Sequence, residues 1–285
     1  MNGIVIDINP TVLSIGHFMV SWYSIVVMLS IIAAVVISTR EAKRKGLSTE
    51  VIYSLIPWVL AGGIVGARLF HVIDKWETYA ASPVQVLALW QGGLAIWGAL
   101  AGGGLAAVIF ARVNQISFGR LADTLVPGLL VAQIVGRFAC IIDGDAVGGP
   151  TTLPWGFTYV NPEAMVPPGL LGVPVHPYPV YDQLWNLFGL AVALRLRHRL
   201  KTDGLLFLSY LSIYAVGRFV FTFVRQERVW FGGLQEAQVI AIAVLAISAA
   251  AFVYLRKRAK VRVTKVASIE PSGDVNQHVA MRANE

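Results

Sequence analysis

Charge is the first thing this chain has little of. Only 14% of its 285 residues are charged, against about 25% in a soluble domain, so it lacks a polar coat for water. Hydrophobic residues make up 56% of it, which excludes intrinsic disorder. A single cysteine, Cys140, excludes a disulfide scaffold and leaves the redox compartment open. Internal self-similarity is absent too, which argues against a simple inverted repeat of the transporter kind. The first residues, Met1–Pro10, are polar and carry Asp7, not a basic stretch before a short apolar one, so no cleavable signal peptide is expected.

What is plentiful is apolar sequence, with a mean hydropathy of +0.66. A bilayer crossing needs about 20 such residues, and the chain offers seven candidates. They are Met19–Thr39, Val51–Ile73, Gly92–Val113, Leu121–Ile142, Val180–Leu194, Gly204–Val224 and Ala237–Leu255. The fifth is short and holds Asp182 near its start. The expected fold is an all-α polytopic membrane protein with seven transmembrane helices. One membrane domain covers residues 1–260, and a polar tail over 261–285 is expected to be disordered.

Basic residues set the orientation. Most of the 23 follow spans one, three, five and seven, whereas the other side has Lys75, Arg225 and Arg228. The N-terminus is therefore expected outside and the C-terminus in the cytoplasm. The pI near 9.7 is explained by that asymmetry, with no nucleic acid partner needed. Asp123, at the cytoplasmic end of span four, is expected to cap that helix. Asp143–Pro179 is the one long external connection, rich in proline and glycine and so ordered by turns.

Three arginines break the pattern. Arg68, Arg137 and Arg218 fall in the outer halves of spans two, four and six, at the depth of His71, Asp143 and Asp145. An arginine at mid-membrane costs roughly 2.5–3.5 kcal/mol on insertion scales. Each alone can snorkel to the interface; three at one level point to an anionic ligand gripped from several helices. Guanidinium matches phosphate because its fork of donors meets two oxygens at once, and an abundant anion at this depth is a phospholipid head group. Gly62, Gly63, Gly66, Gly98, Gly102 and Gly103 give spans two and three small faces for close approach.

Several motifs in order now carry a resemblance. Trp22-Tyr23 opens span one, and Gly66-Ala-Arg68-Leu marks span two. Gln91-Gly-Gly-Leu opens span three and Ala122-Asp123 begins span four. Gly136-Arg137 leads into Asp143-Gly-Asp145, and His176-Pro177 runs to Tyr181-Asp182. Tyr214 through Gly217-Arg218 and then Gln238 complete the set. From Ser21 to Gln238 the chain resembles the prolipoprotein diacylglyceryl transferase family. It departs from the family's usual pattern at Trp97, where a histidine is common, at Cys140 and Asp143 for two asparagines, and at Asp145 and Thr222 for two glutamates.

The resemblance implies a bacterial cell-membrane enzyme with its active site toward the outer leaflet. Its substrates would be phosphatidylglycerol and prolipoprotein signal peptides with a lipobox cysteine. The cysteine thiol would take the diacylglyceryl group as a thioether and release glycerol-1-phosphate, with no cofactor or metal implied. Arg137 and Arg218 would hold the phosphate. Arg68, Asp143, His176, Gln238 and Trp97 would bind substrate, Arg68 being equally suited to bonding helix carbonyls. His71, His176, Tyr23 and Asp145 are candidates for the base; Trp97 is excluded because indole only donates. Cys140 reads as a small buried hydrophobe.

Rival readings differ in class. An organic-anion transporter or a catalytically inactive lipid-binding relative would also place arginines in the membrane. A retinal photoreceptor would need a lysine in the last span, and an intramembrane serine protease a Gly-x-Ser-Gly motif; neither is present.

Overall fold

The computed structural model describes residues 3–267 except 17, 81, 89–91 and 226–228. Within these, the seven predicted spans are helical: α1 (Trp22–Arg44), α2 (Thr49–Asp74), α4 (Ile96–Val113), α5 (Phe118–Asp143), α6 (Tyr178–Leu196), α7 (Leu205–Thr222) and α8 (Glu236–Ala267). A short α3 (Trp76–Ala80) and a 3₁₀ turn (Pro83–Leu87) follow α2. Serine starts three of the long helices: the hydroxyls of Ser21, Ser48 and Ser117 accept from the N–H groups of Ser24, Glu50 and Arg120, using donors that a helix start leaves open.

Six helices are long and apolar enough to cross a membrane: α1, α2, α4, α5, α7 and the Glu236–Ala259 part of α8. The fifth predicted span, Val180–Leu194, is helical within α6 but is not among them. It buries Asp182, Gln183 and Asn186, and this polar content lowers its hydropathy. α8 continues past the boundary expected at 260, and residues 268–285 lie outside those described.

The helices pack as neighbours α2 on α4, α1 on α5 and α7 on α8, with α6 between α5 and α7. Glycine makes the first pair close. A Cβ on Gly66 would run into the Gly98 carbonyl oxygen and come within 2.8 Å of the Gly102 Cα, and one on Gly62 would come within 2.7 Å of the Gly102 oxygen. Backbone-to-backbone approach of this kind gives helices dispersion contact where no hydrophobic force separates them from lipid.

Short strands, which an all-α reading does not include, gather at one end. β1 (Ile4–Ile6) pairs in parallel with β4 (Phe157–Tyr159), tying the N-terminal segment to the 143–179 connection. β2 (Thr11–Ile15) and β3 (Phe18–Ser21) form a hairpin that leads into α1, and β5 (Val229–Phe231) and β6 (Leu234–Gln235) form another between α7 and α8. Ile6, Val147, Phe157, Tyr159 and Val175 make a small core under this cap.

The opposite end is held by buried ion pairs. Glu41 accepts from Arg44 and, at 2.9 Å, from Arg197. Asp123 accepts from Lys45 at 3.2 Å, and from the backbone N–H groups of Gly204 and Phe207 at 3.0 and 2.8 Å. The helix that Asp123 caps is therefore α7 and not its own α5. It lies on the inner side of α5, where the α7 start packs beside it.

Candidate functional site

The site grows from the last turns of α5. Gly144 takes a left-handed conformation (φ 76°) and its N–H bonds the Cys140 carbonyl, which ends the helix. Only glycine suits this position: a Cβ would come within 2.9 Å of Val166 and 3.1 Å of the Tyr159 ring. The reversal leaves Asp143 buried and Asp145 exposed. Tyr159 closes the turn by donating to the Ile141 carbonyl at 2.8 Å. Burial pushes its phenol well above the usual range, so it stays protonated.

The chain then knits three elements together. Gly148 donates to the His176 carbonyl at 3.0 Å, His176 donates to that of Gly149 at 3.0 Å, and Gly149 donates to Val224 at 2.9 Å. A Cβ on Gly148 would come within 2.7 Å of the His176 Cβ. This close weave brings the end of α7 and the start of α6 against the end of α5.

Arg137 sits where they meet. Its Nε donates to Asp182 Oδ2 at 2.7 Å and its Nη1 lies 3.7 Å from the Cys140 sulfur. Asn186, one turn along α6, donates to the same Asp182 oxygen at 3.1 Å. Gln183 fixes α6 on α5 by donating to the Ile134 carbonyl at 2.9 Å. Arg218 donates from Nη1 to the Tyr178 hydroxyl at 2.6 Å. The Tyr178 ring, fully buried, also carries the guanidinium groups of Arg137 and Arg225 over it, 5.5 and 5.3 Å from its centre. Tyr23, on α1, shares this electrostatic neighbourhood with Cys140, Asp145, Asp143 and Arg137. Among the described residues neither oxygen of Asp143 has a hydrogen-bond partner, although the residue is only 1% exposed.

Of the residues singled out in the sequence, Arg137, Arg218, Asp143, Asp145 and Tyr23 thus gather at one end of the bundle. Arg68 has all five of its N–H donors engaged by backbone. It donates to the carbonyls of Val86, Gly92, Gly93, Gln85 and Ala88, and stacks on Tyr79 at 5.1 Å. The alternative of a carbonyl partner is the one that its geometry follows. His71 meets the same Tyr79 edge to face, with ring centres 5.9 Å apart. His176 Nδ1 lies 3.3 Å from the Tyr181 hydroxyl, which also accepts from Trp155 at 3.0 Å. Gln238 is buried between helices, accepting from Gln235 N–H at 3.0 Å and donating to the Phe219 carbonyl at 3.5 Å. Trp97 is 38% exposed in the first turn of α4. Thr222 turns its hydroxyl back onto the Arg218 carbonyl. Among the described residues no three His, Cys, Asp or Glu side chains are grouped to hold a metal.

Sequence reasoning missed Tyr178 and Arg225 and gave Asp182 no role. Arg225 counted only as one of the few cations of the outer side, and a lone tyrosine between two prolines carries no periodic signal. Asp182 inside an apolar stretch was the available clue, since a buried carboxylate in a membrane needs a cation.

A profile of the family described as prolipoprotein diacylglyceryl transferase matches residues 10–254. Similar proteins named phosphatidylglycerol–prolipoprotein diacylglyceryl transferase include one from Lysinibacillus sphaericus, 33% identical over 91% of this chain and 97% of its own. Another, from Nostoc, is 36% identical over 88% of this chain and 91% of its own. One from Gloeobacter violaceus is 36% identical over 88% and 94% respectively. By this coverage and identity, the chain belongs to the prolipoprotein diacylglyceryl transferase family.

Proposed function

We propose that this protein transfers the diacylglyceryl group of phosphatidylglycerol to the thiol of a lipobox cysteine in a prolipoprotein. The observation that carries the reading is the meeting of Arg137 and Arg218, from separate helices, at one buried side chain, Tyr178. In this reading α6 completes seven crossings. The strand-capped end, with the N-terminus and the 143–179 connection, faces outward, and the end rich in Lys and Arg faces the cytoplasm. The site then lies level with the outer-leaflet head groups.

The chemistry follows from the substrates. The peptide thiol gives up its proton, and the thiolate sulfur attacks the glycerol carbon that bears the phosphate ester. A carbon–sulfur bond forms as the carbon–oxygen bond breaks. Its electron pair leaves with the oxygen as glycerol-1-phosphate, whose charge rises from one to two. Fixed donors in a water-poor site stabilise that rise because they need no reorganisation when it occurs. Arg137 is held ready by Asp182 and Asn186, and Arg218 by Tyr178. Asp143, a buried acceptor, and Asp145 engage the hydroxyls of the head group. Asp145 also takes the thiol proton, being the exposed carboxylate beside Tyr23 and Cys140. Lysine would not replace either arginine, since an ammonium lacks the planar fork.

The test is transfer itself. Purified protein in detergent receives phosphatidylglycerol and a synthetic lipobox peptide, and mass spectrometry follows the peptide. A diacylglyceryl adduct is expected on the cysteine, absent when that cysteine is serine and absent with Arg137→Ala or Arg218→Ala. Full turnover by either variant would contradict the phosphate role. Bound phosphatidylglycerol without any adduct would favour a lipid-binding relative.

A further inference from the structure

Three guanidinium groups meet at one aromatic side chain. Tyr178 has no exposed surface, and its position is fixed on both sides by Pro177 and Pro179 at the start of α6. Its hydroxyl accepts from Arg218 at 2.6 Å. Its ring underlies Arg137 at 5.5 Å and Arg225 at 5.3 Å. Arg137 comes from α5, Arg218 from α7, and Arg225 from the turn that follows α7. Backbone bonds draw the three elements together, and Tyr178 is the one side chain that all three guanidinium groups are seen to share.

Three cations around one side chain repel one another, and the Asp182 carboxylate, bonded to Arg137 at 2.7 Å, offsets part of this. The π-face and the phenolic oxygen are both electron-rich, so each offsets part of that repulsion. A phosphate offsets more of it, and one with two charges more than one with a single charge. The proposed substrate is a diester with one charge, and the proposed leaving group is a monoester that carries close to two near neutral pH. A receptor selective for the second form binds what the reaction produces at its phosphate more tightly than what enters, which lowers the barrier and not merely the substrate's energy.

We propose that Tyr178 is a positioning residue that holds Arg137, Arg218 and Arg225 as one receptor selective for a phosphomonoester over a phosphodiester. This rests on the phosphate role proposed above for Arg137 and Arg218, and adds to it Tyr178, Arg225 and the charge state that is recognised.

Calorimetric titration with two soluble probes tests it: glycerol-1-phosphate, the monoester, and glycerophosphoglycerol, the deacylated diester. The intact protein in detergent is compared with Tyr178→Phe, Tyr178→Leu and Arg225→Gln. Wild type is expected to favour the monoester. Tyr178→Leu and Arg225→Gln should each cut that preference about tenfold, the scale of one charge-assisted hydrogen bond. Tyr178→Phe keeps the ring under Arg137 and Arg225 and should restore most of it. Residues that served only to pack the fold would lower both affinities together and leave the ratio unchanged. Should Tyr178→Leu not fold, Arg225→Gln decides alone. Equal affinity of wild type for the two probes, or an unchanged ratio in Arg225→Gln, would overturn the inference. Transfer to the lipobox peptide is followed on the same preparations. Preference without transfer would contradict the proposed function while supporting the receptor, and transfer without preference would do the reverse.

Discussion

Arg68 and Arg137 occupy similar depths in the sequence and bond to different groups in the structure, backbone carbonyls for the first and the Asp182 carboxylate for the second. Arg68 has its donors on five backbone carbonyls of one connection, so its loss strands acceptors. Arg68→Gln is expected to destabilise the protein by about 3 kcal/mol, read as an earlier melt in detergent, with the KM for phosphatidylglycerol unchanged in the protein that remains folded. A raised KM with an unchanged melt would place Arg68 in the substrate site after all. Asp143 allows a second residue-scale prediction. It is buried with neither oxygen partnered among the described residues, and an ionised carboxylate in such a place is costly. Asp143→Asn, which restores the family's usual residue, should raise the melting temperature and keep transfer. Loss of transfer would show that the carboxylate's charge is used. That Arg137 and Arg218 fall within long apolar helices was legible from hydropathy alone. Their partners were not, because Asp182 and Tyr178 lie at the start of the least apolar helix, where a polar residue reads as a span edge.

At the scale of elements, glycine spacing was legible and its consequence can be graded. Within α2, Gly66 meets α4 backbone where a Cβ would overlap the Gly98 carbonyl, whereas a Cβ on Gly63 would sit 3.6 Å from the Ala99 oxygen, an ordinary contact. Gly66→Ala should therefore force α2 and α4 apart and reduce the yield of folded protein. Gly63→Ala should be neutral or slightly stabilising, since alanine restricts the unfolded chain. Equal behaviour of the two variants on size-exclusion chromatography would contradict the packing described. α6 shows the reverse case. Its sequence is marginal for a span, and its place is fixed by bonds to neighbours, Gln183 to Ile134 and Asp182 to Arg137. Asp123 likewise had the right chemistry and the wrong helix, because a side chain one turn into α5 reaches the start of α7 only once both are packed.

For the whole molecule, pairing of β1 with β4 is the least predictable feature and among the most useful. Residues 4–6 and 157–159 are far apart in sequence, and short strands have no periodicity to announce them. Their contact places the N-terminal segment on the same end as the connection that bears Asp145. Accordingly, Asp7→Cys should react with a membrane-impermeant maleimide added outside intact cells, while Lys257→Cys on α8 should react only after permeabilisation. The opposite pattern would invert the proposed orientation.

The most direct measurement of the account follows one oxygen atom. Phosphatidylglycerol carrying heavy oxygen in the bridge between the diacylglyceryl carbon and phosphorus is turned over with the lipobox peptide, and both products are weighed. Attack of sulfur at carbon, with Arg137 and Arg218 holding the departing phosphate, predicts a thioether adduct without label and all the heavy oxygen in glycerol-1-phosphate. Heavy oxygen retained on the lipid, or no adduct on the cysteine, would contradict it.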